Sequence, residues 1–311
     1  MLFEVAIFSF YTLFCLFSVL GYGIIFSKII YNPSERNIGE LGIFGFLLLL
    51  FISLFFHFFI PLSYWFNFII LSLGFVISIA KFNYFKNEIV KIKTQFILIT
   101  LIILPSILIY KTHGDYEWYH LPYVNYLNNF KIIFGLVNVV NHYAHGHGWM
   151  DIMGLFSLPV IETKGVSIIA LIFFYFFLLY LIFEIKNTKL KSIKIYSIIA
   201  IIYCLATYNK LADFGAEIQP ALMILVIILN VIKLLNNNNS NELLSKIILY
   251  FIFAIFLRIG SVVILPFVLI ILLINFKHIP KSIITYLRLN FFLALFFIFF
   301  LLKNFILSGC L

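Results

Sequence analysis

The sequence predicts an all-α protein: a polytopic bundle of about ten transmembrane helices with one long external loop that bears interfacial helices. Three observations predict it. Hydrophobic residues fill 64% of the 311 positions and charged residues only 11%, where soluble domains are about 45–50% apolar and about 25% charged. Apolar runs recur at lengths near the ~20 residues that a helix needs to cross a hydrocarbon core. The few charges are also distributed by side. The 40 Phe and 18 Tyr, together with abundant Ile, Asn and Lys, follow A+T-rich codon usage and are not by themselves a binding signal.

The apolar runs fall at 3–30, 41–60, 64–80, 95–110, 165–185, 194–208, 220–235, 246–257, 260–276 and 286–303. Those at 194–208 and 246–257 are short, as tilted or broken spans are. Numbering the loops in order, the odd ones carry fifteen Lys and Arg against five Asp and Glu, a balance of +10; the even ones with the termini carry six against seven, −1. Positive charge marks the cytoplasmic loops of membrane proteins. The odd loops are therefore expected inside and both termini outside, and the net charge of +9 reads as topology, not as a nucleic-acid footprint. Lys28 is the first basic residue, so no cleavable signal peptide is expected. Cys15, Cys204 and Cys310 match no metal or disulfide spacing. The run Asn236–Asn239 reads as a polar connector, and no Gly-rich phosphate loop occurs.

The chain divides into N-terminal helices (1–110), an external segment (111–164) and C-terminal helices (165–311). The middle stretch is 54 residues long and holds five of the seven histidines, four acids and two of the three tryptophans. Long loops held between rigid elements are where function concentrates. Asp115 and Glu117 are two apart: in an extended stretch they share a side, and in a helix they diverge by about 200°. Gly114 and Pro122 favour the extended form, with Pro122 opening an amphipathic interfacial helix over 122–134. Tyr119 and His120 lie between. Further on, His142, His145 and His147 beside Asp151 have the donor chemistry for a transition metal, although such tracts more often serve as ordered hydrogen-bonding or proton-carrying groups. A second external loop offers Lys210, Asp213 and Glu217. Arg258, near membrane depth, is suited to a phosphate through its bidentate fork or to snorkelling. His57, within an apolar run, reads as a core histidine.

These residues resemble the GT-C superfamily of membrane glycosyltransferases. The likeness is to a bacterial branch with a Tyr-His-Leu element, a Gly-Leu-x-Asn turn, a nearby His and a Trp, here Tyr119-His120-Leu121, Gly135-Leu136-Val137-Asn138, His142 and Trp149. The stretch Lys303–Gly309 resembles the Asn-x-x-x-Ser-Gly that follows a later helix in that branch. Three runs precede the large loop here, where GT-C proteins usually have one, and members of the branch continue past the point matching Leu311, so a shortened chain is expected. The resemblance implies transfer of a sugar from a polyprenyl-phosphate donor to an acceptor at the outer face of a bacterial cytoplasmic (inner) membrane. It makes Asp115 the base and Glu117 its second. Lys210 and Arg258 fall on the phosphate side, and Tyr119, His120, His142 and Asp213 fall in the substrate site. It allows a divalent metal without requiring one. Membrane lipid is an expected partner and nucleic acid is not. The rival readings are a transporter, a polysaccharide polymerase of envelope assembly, and a non-catalytic membrane component. Apolar runs nearly free of ionisable residues speak against the transporter.

Overall fold

In a computed structural model the structure describes the backbone of every residue except 1, 32–36, 104–113, 146, 160–161, 209–216, 237–239 and 310–311. Its elements, in chain order, are α1 (Leu2–Ile25), continued by a π-helical turn over Phe26–Tyr31, α2 (Ile38–His57), α3 (Tyr64–Ala80), α4 (Phe82–Lys91), α5 (Lys93–Ile103), α6 (Leu121–Asn129), α7 (Gly148–Leu155), α8 (Glu162–Asn187), α9 (Lys191–Ala206), α10 (Ile218–Asn236), α11 (Ser240–Leu257), α12 (Leu265–Ile274), α13 (Ile279–Thr285) and α14 (Leu287–Ser308). No strand occurs among the described residues. Each of the ten apolar runs coincides with a helix, though part of the run at 95–110 lies outside the described residues. Among the described residues, five helices are long and apolar enough to cross a membrane. They number up to seven if two bent pairs each count as one span: α3 with α4 (63°), and 259–274 with 276–285 (75°).

Close helix packing in lipid depends on small side chains, because hydrocarbon gives apolar surfaces no reason to leave it. Helix α2 shows this. A Cβ added at Gly39 would fall 2.2 Å from the Tyr180 nitrogen, one at Gly42 would fall 2.0 Å from the Phe176 ring, and one at Gly45 would fall 2.0 Å from the Val19 carbonyl oxygen. The stripe Gly39-x-x-Gly42-x-x-Gly45 thus lets α2 lie against α8 on one side and α1 on the other. Asn37 caps α2, its Oδ1 accepting from the Glu40 N–H at 2.7 Å.

Several charges expected in loops are buried inside helices. Glu40 accepts from Lys246 at 2.9 Å and from the Tyr250 hydroxyl at 2.7 Å, and Lys246 also faces Glu242 at 3.5 Å. Lys233 meets Glu184 at 2.5 Å. Lys303 is buried within α14. The expectation of helices nearly free of ionisable groups is therefore corrected: the helices run on through charges wherever a partner of opposite sign is supplied, which offsets the cost of burying them.

Candidate functional site

The described part of the 111–164 segment does not lie loose on the bundle. His57, at the end of α2, hydrogen-bonds the Phe130 carbonyl through Nε2 at 3.0 Å, and the His57 carbonyl accepts from Ile132 N–H at 3.1 Å. Leu62 N–H donates to Leu127 O at 2.8 Å. Asn67 of α3 donates to the carbonyls of Gly154 (2.8 Å) and Ser157 (3.2 Å). At the start of α7, a Cβ on Gly148 would fall 2.3 Å from the Phe256 carbonyl oxygen, so only glycine allows α7 this close to α11.

Asp115 opens a π-helical turn over Tyr116–His120, its carbonyl accepting from both Tyr119 N–H (2.9 Å) and His120 N–H (3.2 Å). This corrects the extended reading of 114–121. Pro122, preset for a helix, sits in the first turn of α6, and the turn winds directly into that helix. Asp115 and Glu117 are exposed at its head, whereas Tyr119 and His120 turn inward and are buried. The helix from Pro122 forms as expected but ends at Asn129, and 130–133 continue without helix.

Tyr119 is the hub of an aromatic cluster. Its ring centroid lies 5.1 Å from that of His120, 6.2 Å from Tyr123 and from Tyr143, 6.3 Å from His142 and 6.1 Å from His147. Tyr126 stacks on Tyr143 at 6.0 Å and on Phe130 at 6.4 Å. Burial holds the Tyr119 hydroxyl above its usual range, aided by the nearby Asp151 charge and opposed by Arg258. Arg258 is therefore close enough to act on this cluster. It forms an ion pair with the exposed Glu217 at 3.0 Å. Burial, with the Asp151 charge adding to it, also raises Tyr126, to about 12.

Beneath the cluster, Asp151 and Lys303 form an ion pair, both side chains about 95% shielded. Burial raises the Asp151 carboxyl, and Lys303 opposes that shift. The Lys303 ammonium also lies 5.8 Å from the Tyr123 ring centroid. Beyond this pair, Gly135 N–H donates to Ile306 O at 2.8 Å and Asn138 Nδ2 to Ser308 O at 3.3 Å. Gly135 (φ +69) and Gly309 (φ +66) are both left-handed, and a Cβ on Gly309 would fall 2.9 Å from the Gly135 Cα. Two stretches about 170 residues apart in sequence thus form one unit.

Of the sequence-predicted residues, Tyr119, His120 and His142 gather in one cluster, with Asp115 and Glu117 exposed at the head of the turn that carries it, while Arg258 pairs with Glu217. Lys210 and Asp213 lie outside the described residues, as does the His145 side chain. Among the described residues no three His, Cys, Asp or Glu side chains gather as a metal site requires, and Asp151, read as a fourth metal donor, instead faces Lys303. His57 is a core histidine, as read. Sequence reasoning missed Lys303, since a lone Lys near the end of an apolar run ordinarily snorkels to the surface. It also missed the Glu217 partner of Arg258, which no spacing rule connects.

A family model described as Domain of unknown function (DUF8201) matches residues 5–311. The chain belongs to this family. The match runs through both stretches that meet at Asp151 and Lys303, so the unit they form lies wholly inside the family's own domain. No curated protein and no solved structure matches the chain.

Proposed function

We propose that the chain is a membrane glycosyltransferase of the GT-C kind. In this reading it has ten crossings, the 111–164 segment lies on the outer face of a bacterial inner membrane, and the donor is a sugar on polyprenyl phosphate. One observation carries the reading: the two stretches in which the resemblance is sharp, 115–149 and 303–309, pack directly on each other. An exposed acidic pair stands at the head of the unit they form.

The chemistry follows from the residues. Asp115, rooted by its backbone in the turn and exposed to solvent, takes the proton from the acceptor hydroxyl as that oxygen attacks the sugar and the bond from sugar to phosphate breaks. General-base help of this kind is worth about 10²–10⁴-fold. Glu117 is the second carboxylate. Arg258 and Lys210 take the leaving phosphate side, where a fixed cation stabilises the charge that develops, and Asp213 belongs with the groups that bind the sugar. Tyr119, His120 and His142 orient the sugar. A divalent metal, if bound, would neutralise the phosphate. Asp115→Asn should abolish transfer by purified protein while membrane insertion stays unchanged; full activity in that variant overturns the assignment.

A second reading is favoured by one observation: buried charges occur at both ends of the bundle, at Glu40–Lys246 and at Asp151–Lys303, a placement usual in proton-coupled transporters. Glu40→Gln separates the two. It should stop a transporter outright and leave sugar transfer by folded protein within a few fold.

A further inference from the structure

Helix α4 leaves the end of α3 at 63°, and the composition changes with the direction. No residue of α3 is charged, whereas Lys81, Lys86 and Lys91 recur through α4. Phe82, Lys86 and Val90 follow one another at four-residue steps, so they share one stripe of the helix, and all three are exposed. A short helix that turns aside where an apolar one ends, with apolar and basic side chains on one open stripe, suits the plane of the lipid headgroups.

Other elements bring lysines to the same place. The Lys28 ammonium, in the turn after α1, lies 5.5 Å from the Tyr84 ring centroid. Lys186, in the last turn of α8, donates to the Lys91 carbonyl at the end of α4 across 95 residues of sequence. That bond joins α4 to the connector that carries exposed Lys189 and Lys191 into α9. The charge gathered this way is left uncompensated. Within 81–93 and 184–194 there are two acids: Glu88 pairs with Lys91 at 2.7 Å, and Glu184 is buried against Lys233 at 2.5 Å. The buried Lys233, Lys246 and Lys303, by contrast, each face a carboxylate.

We infer that α4 and the connector from α8 to α9 form one interaction surface for anionic phospholipid headgroups. Like charges brought together repel unless a counter-charge is supplied, and basic clusters at the ends of membrane helices draw anionic lipid. Sidedness alone requires lysines in each loop; it does not require one loop to be bonded to the other by a lysine. A soluble acidic partner would leave Phe82 and Val90 in water, whereas an anionic bilayer meets the apolar and the basic parts of the stripe together. The surface does not depend on the proposed transfer reaction.

A local reporter tests it. In a Cys310→Ser background, bimane on Asn87→Cys, an exposed position of α4, is compared in two bilayers. One holds brominated phosphatidylglycerol in plain phosphatidylcholine, and the other holds brominated phosphatidylcholine in plain phosphatidylglycerol, at equal mole fraction. The expected result is quenching about two-fold stronger by the brominated anionic lipid. The difference should vanish at about 1 M salt, where charges are screened beyond about 3 Å; this arm needs no lysine variant. Lys86→Gln with Lys189→Gln should remove most of the difference, and Lys277→Gln with Lys281→Gln, which takes the same charge from the α13 region, should leave it unchanged. Equal quenching by the two lipids, or equal effects of the two double variants, overturns the inference and leaves the lysines as a topology signal only. No quenching by either lipid overturns it as well, by placing α4 away from the bilayer.

Discussion

Asp151 and Lys303 form a buried ion pair whose loss has a large expected consequence. Removing one partner of a buried ion pair leaves the other uncompensated, at a cost of about 3–5 kcal/mol, whereas replacing both with apolar groups is often neutral. Lys303→Met is therefore expected to lower the thermal midpoint of the detergent-solubilised protein sharply, and adding Asp151→Leu should recover much of that loss. A double variant no more stable than the single one would show that the pair does not act as a unit. The pH dependence has a definite sign. Burial raises the folded-state carboxyl of Asp151 above 3.8, so the folded state binds this proton more tightly than the unfolded one. The contribution is complete below 3.8 and is lost as pH rises through the raised value. Lys303→Met removes the opposing charge and should extend that loss to higher pH, and Asp151→Asn should abolish it. Asp151 was legible in the sequence as a polar residue in a His-rich tract, but its partner was not. Lys303 lies 152 residues away, and no local pattern distinguishes a buried Lys from a snorkelling one.

Among the elements, the close of α14 matters most to the site. Gly309 ends the helix in the left-handed conformation that C-terminal glycines supply, and its neighbour across the contact, Gly135, has the same handedness. An L-residue there costs about 1–2 kcal/mol in backbone strain, and at Gly309 its Cβ would also meet Gly135. Gly309→Ala should lower the thermal midpoint and loosen 135–138, seen as faster amide exchange there. Gly114→Ala, which would meet nothing within 4 Å, should change neither. Equal behaviour of the two would contradict the docking of α14 on residues 135–138. The start of α6 was legible because Pro122 announces a helix N-terminus. The π-helical turn before it was not, because Gly114 and the proline pointed to an extended stretch, while the Asp115 carbonyl accepts two N–H groups and winds the chain up early. The Gly39, Gly42 and Gly45 stripe could be seen in the sequence, but which helices it would receive depended on tertiary contacts with α1 and α8.

For the whole molecule, composition and the lengths of the apolar runs made the membrane-helix architecture legible, since both reflect the bilayer as solvent and not any particular contact. The same arithmetic hid the buried charges. The apolar runs begin at 41 and 246, yet α2 starts at Ile38 and α11 at Ser240, and Glu40 and Lys246 pair where the two helices meet. The ten-crossing topology has its own test. In a Cys310→Ser background, Cys15 and Cys204 are buried, so single cysteines placed at Gly114 or Asn129 should react with an impermeant maleimide added outside cells, and those at Lys86 or Lys189 should react only after permeabilisation. The reverse pattern would invert the orientation and move the acidic turn to the cytoplasm.

The central claim is that the outer segment and the end of α14 form a transferase site acting on a polyprenyl-phosphate-linked sugar. The most direct measurement supplies labelled donor to right-side-out vesicles containing either the wild-type chain or Asp115→Asn and follows label into product. The account predicts transfer by the wild type with the outer face presented and none by Asp115→Asn. Equal label transfer by the two proteins, or no transfer from any polyprenyl-phosphate-linked sugar by inserted wild-type protein, would contradict it.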